Sequence, residues 1–68
     1  MSVEQTYTVT GMTCGHCVAS VTEEVQEVPG VEGVDVVLET GQVTVTSTEP
    51  LDEAAVRAAV EEAGYQLA

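Results

Sequence analysis

Apolar and polar positions alternate near the start of the chain, where Tyr7 and Val9 are set among Thr6, Thr8 and Thr10. A period of two is that of a strand with one buried face, and Gly11 ends it. Beyond a short loop, expected to carry Met12, Thr13 and both cysteines, the period lengthens. Val18, Val21, Val25 and Val28 recur at helical spacing, with Glu23, Glu24 and Glu27 expected on the opposite face. Pro29-Gly30 stops that helix. The period of two returns in Val34, Val36 and Leu38, set against Asp35, Val37 and Glu39, and again in Val43 and Val45, set against Thr44 and Thr46. Thr40-Gly41 between these runs reads as the reversal of a hairpin. Pro50 introduces a second helix, with Asp52 and Glu53 near its positive end. Val56, Ala59, Val60 and Ala63 form its expected buried stripe, and Gly64 its stop. Tyr65 to Ala68 leave room for one short last strand.

The predicted order is strand, helix, strand, strand, helix, strand. That is an α+β chain of the ferredoxin-like βαββαβ kind: a four-stranded antiparallel sheet with two helices on one face. No linker or low-complexity tract interrupts it, so residues 1–68 are expected to form a single domain. Fold class alone carries no function.

Composition sharpens the picture of the core. The 68 residues include no Trp and no Phe, so the fourteen valines must fill the interior. A chain this short buries only ~60% of its unfolded surface and is marginally stable. The two cysteines, three positions apart, cannot staple distant segments, but a metal held there would add stability by binding the folded chain.

Charge removes several function classes. Twelve acids stand against one Arg, Arg57, and no Lys, for a net charge of -11 at pH 7. Nucleic acid is excluded as a partner, because its phosphates need neutralising cations. An anionic membrane surface is excluded for the same reason, and no segment approaches the length and apolarity of a membrane span. Exposed acids keep copies apart in solution. If charge also guides docking, the partner's face should be basic. Met1 to Gln5 runs into strand-like sequence without an apolar leader, so a cytoplasmic location is expected, where thiols stay reduced.

The chemistry is concentrated in Gly11-Met12-Thr13-Cys14-Gly15-His16-Cys17. Two thiols with two residues between them can face one metal ion, and Gly15 is expected to let the loop turn tightly. The positive end of the first helix lies nearby and favours thiolate. Soft thiolates suit Cu(I). A closed structural zinc site takes four protein ligands, and two Cys with one His do not supply them. An open two-ligand site favours handing on over storage. Two other readings stand beside this one. The pair is also consistent with a dithiol of no metal role. Cys14-Gly15-His16-Cys17 is also the active-site tetrapeptide of protein disulfide isomerases, in which the His lowers the first thiol's pKa. Against an oxidoreductase, Thr13 stands where those enzymes carry Trp, and Pro29 and Pro50 sit at helix boundaries rather than facing the dithiol.

The run from Gly11 to Cys17 resembles the heavy-metal-associated domain signature, Gly-Met-Thr/Ser-Cys-x-x-Cys. The resemblance extends through Val28-Pro29-Gly30-Val31, the hairpin at Gly41 and Ala63-Gly64-Tyr65. In size and in its Gly-His pair the chain is similar to the bacterial CopZ-like copper chaperones of that family. The resemblance implies Cu(I) held by Cys14 and Cys17 and passed to the metal-binding domain of a copper-transporting P-type ATPase. It implies a carrier rather than an enzyme. Thr13 precedes the first Cys as in copper-type members, where zinc- and cadmium-type members often place Asp. Met12 is expected to pack beneath the loop, where Met commonly fills gaps. Tyr65 occupies the bacterial position that approaches the metal loop, either shielding the site or filling space. His16 is expected to tune the thiols, to add a nitrogen when two molecules share copper in a bridged homodimer, or to make no metal contact. The same domain also occurs as the N-terminal metal-binding domain of copper ATPases.

Overall fold

In the computed structural model, which describes residues 2–68, the elements run β1 (Val3–Thr10), α1 (Gly15–Gln26), β2 (Val31–Val37), β3 (Gln42–Ser47), α2 (Glu53–Glu62) and β4 (Gln66–Leu67). The strands form one sheet in the order β2-β3-β1-β4, and every neighbouring pair is antiparallel. This is the ferredoxin-like βαββαβ architecture. β1 is shared: Val3 to Thr8 pair with β3, while Val9 and Thr10 pair with Leu67 and Gln66 of β4. Its end is therefore clasped between two strands just before the loop that carries the cysteines.

The core is valine, as the composition demands. Val9, Val21, Val25, Val43, Val45, Val56 and Val60 pack together out of water. β3 sends Val43 and Val45 and β1 sends Val9 to the helical side, and each helix answers with a pair one turn apart, Val21 with Val25 and Val56 with Val60, the geometry that periods of 2 and 3.6 require. Around this cluster Tyr7, Met12, Leu51, Tyr65 and Leu67 are half-buried. One long-range clasp holds the lead into α2: Leu51 N donates to Gln5 Oε1 at 2.8 Å, and Gln5 Nε2 donates to Leu51 O at 3.3 Å.

Helix boundaries follow capping chemistry. α2 begins at Glu53 rather than Pro50, because Asp52 is the N-cap and its carboxylate accepts from Ala54 N at 3.1 Å. Pro50 lies two residues outside. α1 ends before Val28, since the residue ahead of Pro29 is pushed out of helical backbone.

Three expectations change. β2 starts at Val31, three residues earlier than the alternation indicates, through an irregularity between Val31 and Gly33 that period counting cannot follow. β2 also stops at Val37. Leu38 is therefore lifted out of the alternation into the turn and is 37% exposed instead of facing inward with Val36. Finally, Glu24 is half-buried rather than on a free outer face. It lines a cleft between the helices with Glu23, Glu27 and Glu62. Burial first, then the neighbouring Glu27, pushes its carboxyl above the usual range.

Candidate metal centre

The backbone explains why a Cys-x-x-Cys run brings its sulfurs together here. Cys14 is the N-cap of α1, with extended backbone (φ -157°, ψ 172°). Its carbonyl accepts from Cys17 N at 3.1 Å and Val18 N at 3.4 Å. Cys17, expected in the loop, is therefore the third residue of the helix, because the helix starts at Gly15 directly after its cap. N-cap and third-residue side chains are the two that meet across a helix start, the relation exploited by a capping box. Here both are thiols, and the sulfurs stand 3.2 Å apart. That is hydrogen-bonding distance, well beyond a disulfide bond of about 2.05 Å, and both cysteines are free.

The two thiols differ in setting. Cys14 is exposed and Cys17 is buried. No side chain caps the helix start, and no acid lies in its first turn, so the positive helix end acts on the sulfurs unopposed. The Cys17 thiol is drawn down to about 6, first by the Tyr65 hydroxyl, then by the Thr13 backbone and the Cys14 thiol, against the opposing effect of burial. The same proximity pushes the Tyr65 hydroxyl above its ordinary range, because an ionised hydroxyl is disfavoured beside thiolate.

Tyr65 reaches the site because of how α2 ends. Tyr65 N donates to Val60 O at 3.1 Å and Gly64 N donates to Glu61 O at 2.9 Å. With Gly64 at φ +95°, these bonds form a Schellman motif, which turns the chain back toward β1. Tyr65 then lies over Gly11, where an added Cβ would sit 3.5 Å from Tyr65 Cδ1.

Gly11, at φ +91°, turns the loop. Gly15, expected to do so, is instead the first residue of α1 with open space around it. In sequence the two glycines look alike, and only the backbone angle separates them. Among the other anticipated residues, Met12 is half-buried against the valine cluster, Thr13 Oγ1 lies 4.0 Å from Cys17 Sγ, and His16 is exposed in the first turn of α1. Gly41 belongs with the site although nothing chemical marks it. Its carbonyl accepts from Val9 N at 2.8 Å, tying the β2–β3 turn to the strand that delivers the loop. The signal available in sequence was only that of a turn glycine.

Among the described residues no cluster of three or more His, Cys, Asp or Glu could hold a metal ion, so the site offers a pair of sulfurs. No helix among the described residues is long and apolar enough to cross a membrane. The chain is 38% identical over 66 residues to the copper chaperone CopZ of Bacillus subtilis strain 168, a match spanning 96% of both proteins. It is 41% identical over 63 residues to copper-transporting ATPase 1 of Rhizobium meliloti strain 1021, covering 93% of this chain but spanning only 8% of the ATPase. A solved CopZ metallochaperone superposes with a TM-score of 0.90 at 33% identity, over 97% of this chain and all of the other. Residues 6–66 match the heavy-metal-associated domain, and the chain belongs to that family.

Proposed function

We propose that this chain is a single-domain, cytoplasmic carrier that holds one Cu(I) ion between Cys14 and Cys17. It passes the ion to the metal-binding domain of a copper-transporting P-type ATPase. The observation that supports this best is the pair itself: two sulfurs 3.2 Å apart, one exposed and one buried, at a helix start. Two soft donors suit a monovalent soft ion and leave a structural zinc site two ligands short. The near-complete match to a copper chaperone supports the free-standing form.

Geometry also says what binding requires. With metal–sulfur bonds of about 2.3 Å, an ion midway between sulfurs 3.2 Å apart would see them at roughly a right angle. A near-linear site needs the sulfurs to draw apart by roughly 1 Å or more. Cys14 can supply that movement, since it is exposed and makes no side-chain cap bond, while Cys17 stays seated. In transfer, an acceptor thiolate attacks Cu(I) from the Cys14 side and a three-coordinate bridge forms. One original thiolate then leaves, a second acceptor thiolate binds, and the other original thiolate leaves, so that Cu(I) ends between two acceptor sulfurs and the freed thiolates take up protons from water. Copper stays Cu(I) throughout and no substrate bond is made or broken, so the role is that of a carrier and not an enzyme.

A second reading keeps the chemistry and changes the setting. The identity to an ATPase of which the chain spans only 8% favours a domain at the head of such a transporter. Immunoblotting a cell extract separates the two, since the carrier runs near 7.1 kDa. The βαββαβ fold gives no support to a disulfide-isomerase-like oxidoreductase. The decisive experiment is an anaerobic Cu(I) titration of reduced protein against a calibrated chelator, with Zn(II) alongside. One tightly held Cu(I) per chain, lost in both Cys14→Ser and Cys17→Ser, is expected. Wild-type affinity in either variant, or insulin reduction in place of copper uptake, refutes the assignment.

A further inference from the structure

The acids are distributed unevenly, along the axis that matters for transfer. No Asp or Glu lies between Gln5 and Thr22, and none follows Glu62. Those stretches supply the cysteine loop, the first turns of α1 and Tyr65. They converge at one pole with the β2–β3 turn, which the Val9–Gly41 hydrogen bond holds against the end of β1. The turn brings one acid to that pole, Glu39. Glu61 is exposed in the last turn of α2 at the same end, and Glu62 lines the interhelical cleft with Ser20 and Glu24. In contrast, Glu27, Glu32, Glu49, Asp52 and Glu53 lie on the segments that close the opposite pole.

A second observation is independent of charge. The exposed large apolar side chains among the described residues are Val37, at 43%, and Leu38, at 37%. Both stand at the dithiol pole, at the end of β2 and in the turn beside it. A chain whose interior is little more than seven valines leaves its exposed leucine at the end of the fold that carries the two thiols.

We propose that the dithiol pole docks an uncharged, apolar face of the acceptor protein, with Leu38 as the anchor, and that the acidic remainder of the surface stays out of the contact. The proposal rests on the carrier reading above. The acceptor's thiolate must reach Cys14, so whatever covers Leu38 is the acceptor. Charges at the rim of a contact make approach salt-dependent, and charges more than a screening length away do not. Most of the net charge of -11 thus lies away from the docking face, with Glu39 the acid beside the anchor.

A second copy of this chain is the probe acceptor, because it presents the same pole and repels the first copy wherever acids meet. Cu(I)-loaded protein is mixed with isotope-labelled apoprotein, and copper exchange is followed by NMR. Salt is raised from about 0.05 to 0.5 M, which shortens the screening length from about 14 Å to about 4 Å. The expected result is an exchange rate that changes less than about threefold, and that falls about tenfold in Leu38→Ser, a loss near 1.4 kcal/mol. Cu(I) affinity and circular dichroism should be unchanged in that variant, and Glu49→Gln, at the far pole, should exchange as wild type. Acceleration beyond tenfold with salt overturns the proposal and points to acids in the contact, hence to a basic acceptor. Wild-type exchange in Leu38→Ser, or no exchange between copies that bind Cu(I) tightly, overturns it while leaving the carrier reading intact. Failure to bind Cu(I) in the direct titration removes both.

Discussion

Replacing Gly41 by Ala should damage the fold far more than the same change at Gly15, although Gly15 sits between the cysteines. Gly41 has φ +75°, and a Cβ built there would lie 2.5 Å from the backbone oxygen of Val9. An L-residue in left-handed backbone loses roughly 1–2 kcal/mol. The clash is with backbone, so the turn and β1 must separate, and the 2.8 Å bond from Val9 N to Gly41 O goes with it, worth about 0.5–1.5 kcal/mol. Together the loss is about 1.5–3.5 kcal/mol. Domains carry roughly 0.05–0.15 kcal/mol per residue, about 3–10 kcal/mol for a chain of this size, so a substantial share of the stability is at stake. Gly15 is helical and a Cβ there meets nothing within 4 Å. Gly15→Ala should be neutral or stabilising by up to roughly 1 kcal/mol. Urea unfolding of the reduced apoprotein, followed by circular dichroism with the slope held common, measures both. A Gly41→Ala midpoint within about 1 kcal/mol of wild type, or an equal loss at Gly15, would refute the assignment of the turning positions.

Four further outcomes are expected. Tyr65→Phe removes the largest influence on Cys17, so the thiolate absorbance of the apoprotein should titrate about one pH unit or more higher, a charge-assisted bond being worth roughly 1.5–3 kcal/mol; an unmoved titration would deny the hydroxyl its role. Because the folded thiol titrates at about 6 against an ordinary 9.0, the folded state binds fewer protons in that window. Apoprotein stability should therefore gain from this group as pH rises from 6 to 9 and lose that gain as pH falls back through 6. A Cys17→Ser variant with the same pH slope would contradict this. Val60→Ala, at a fully buried position, should lose about 2–3 kcal/mol by urea unfolding, and a loss under about 1 kcal/mol would mean that the site collapses to fill the gap. Finally, Glu62→Lys should stabilise the fold at low salt and lose that advantage near 1 M, where screening falls to about 3 Å. Equal stability of the two proteins at low salt would show that the interhelical acids do not repel.

Much of this protein is legible as a string. Element order, the valine core, the arrest of α1 by Pro29 and the pairing of Cys14 with Cys17 all follow from local periodicity and from side chains fewer than four residues apart. These features depend on how the backbone repeats, and a repeat is visible wherever it occurs. The clasp between Gln5 and Leu51 is not of this kind, because its partners are 46 residues apart and nothing in either neighbourhood announces the other.

By itself, then, the amino-acid order determined that two thiols would stand close together where a loop leads into a helix, on a small, acidic, valine-filled βαββαβ chain. What surrounds those thiols was decided in three dimensions. The Schellman turn at Gly64 brings Tyr65 onto Gly11 and beside Cys17. The Val9–Gly41 bond carries Leu38 to the same pole. Glu24 faces a cleft because α2 packs where it does. The reason is common to all three. Backbone angles and strand ends depend on which segments meet, and meetings between segments far apart in sequence leave no local trace.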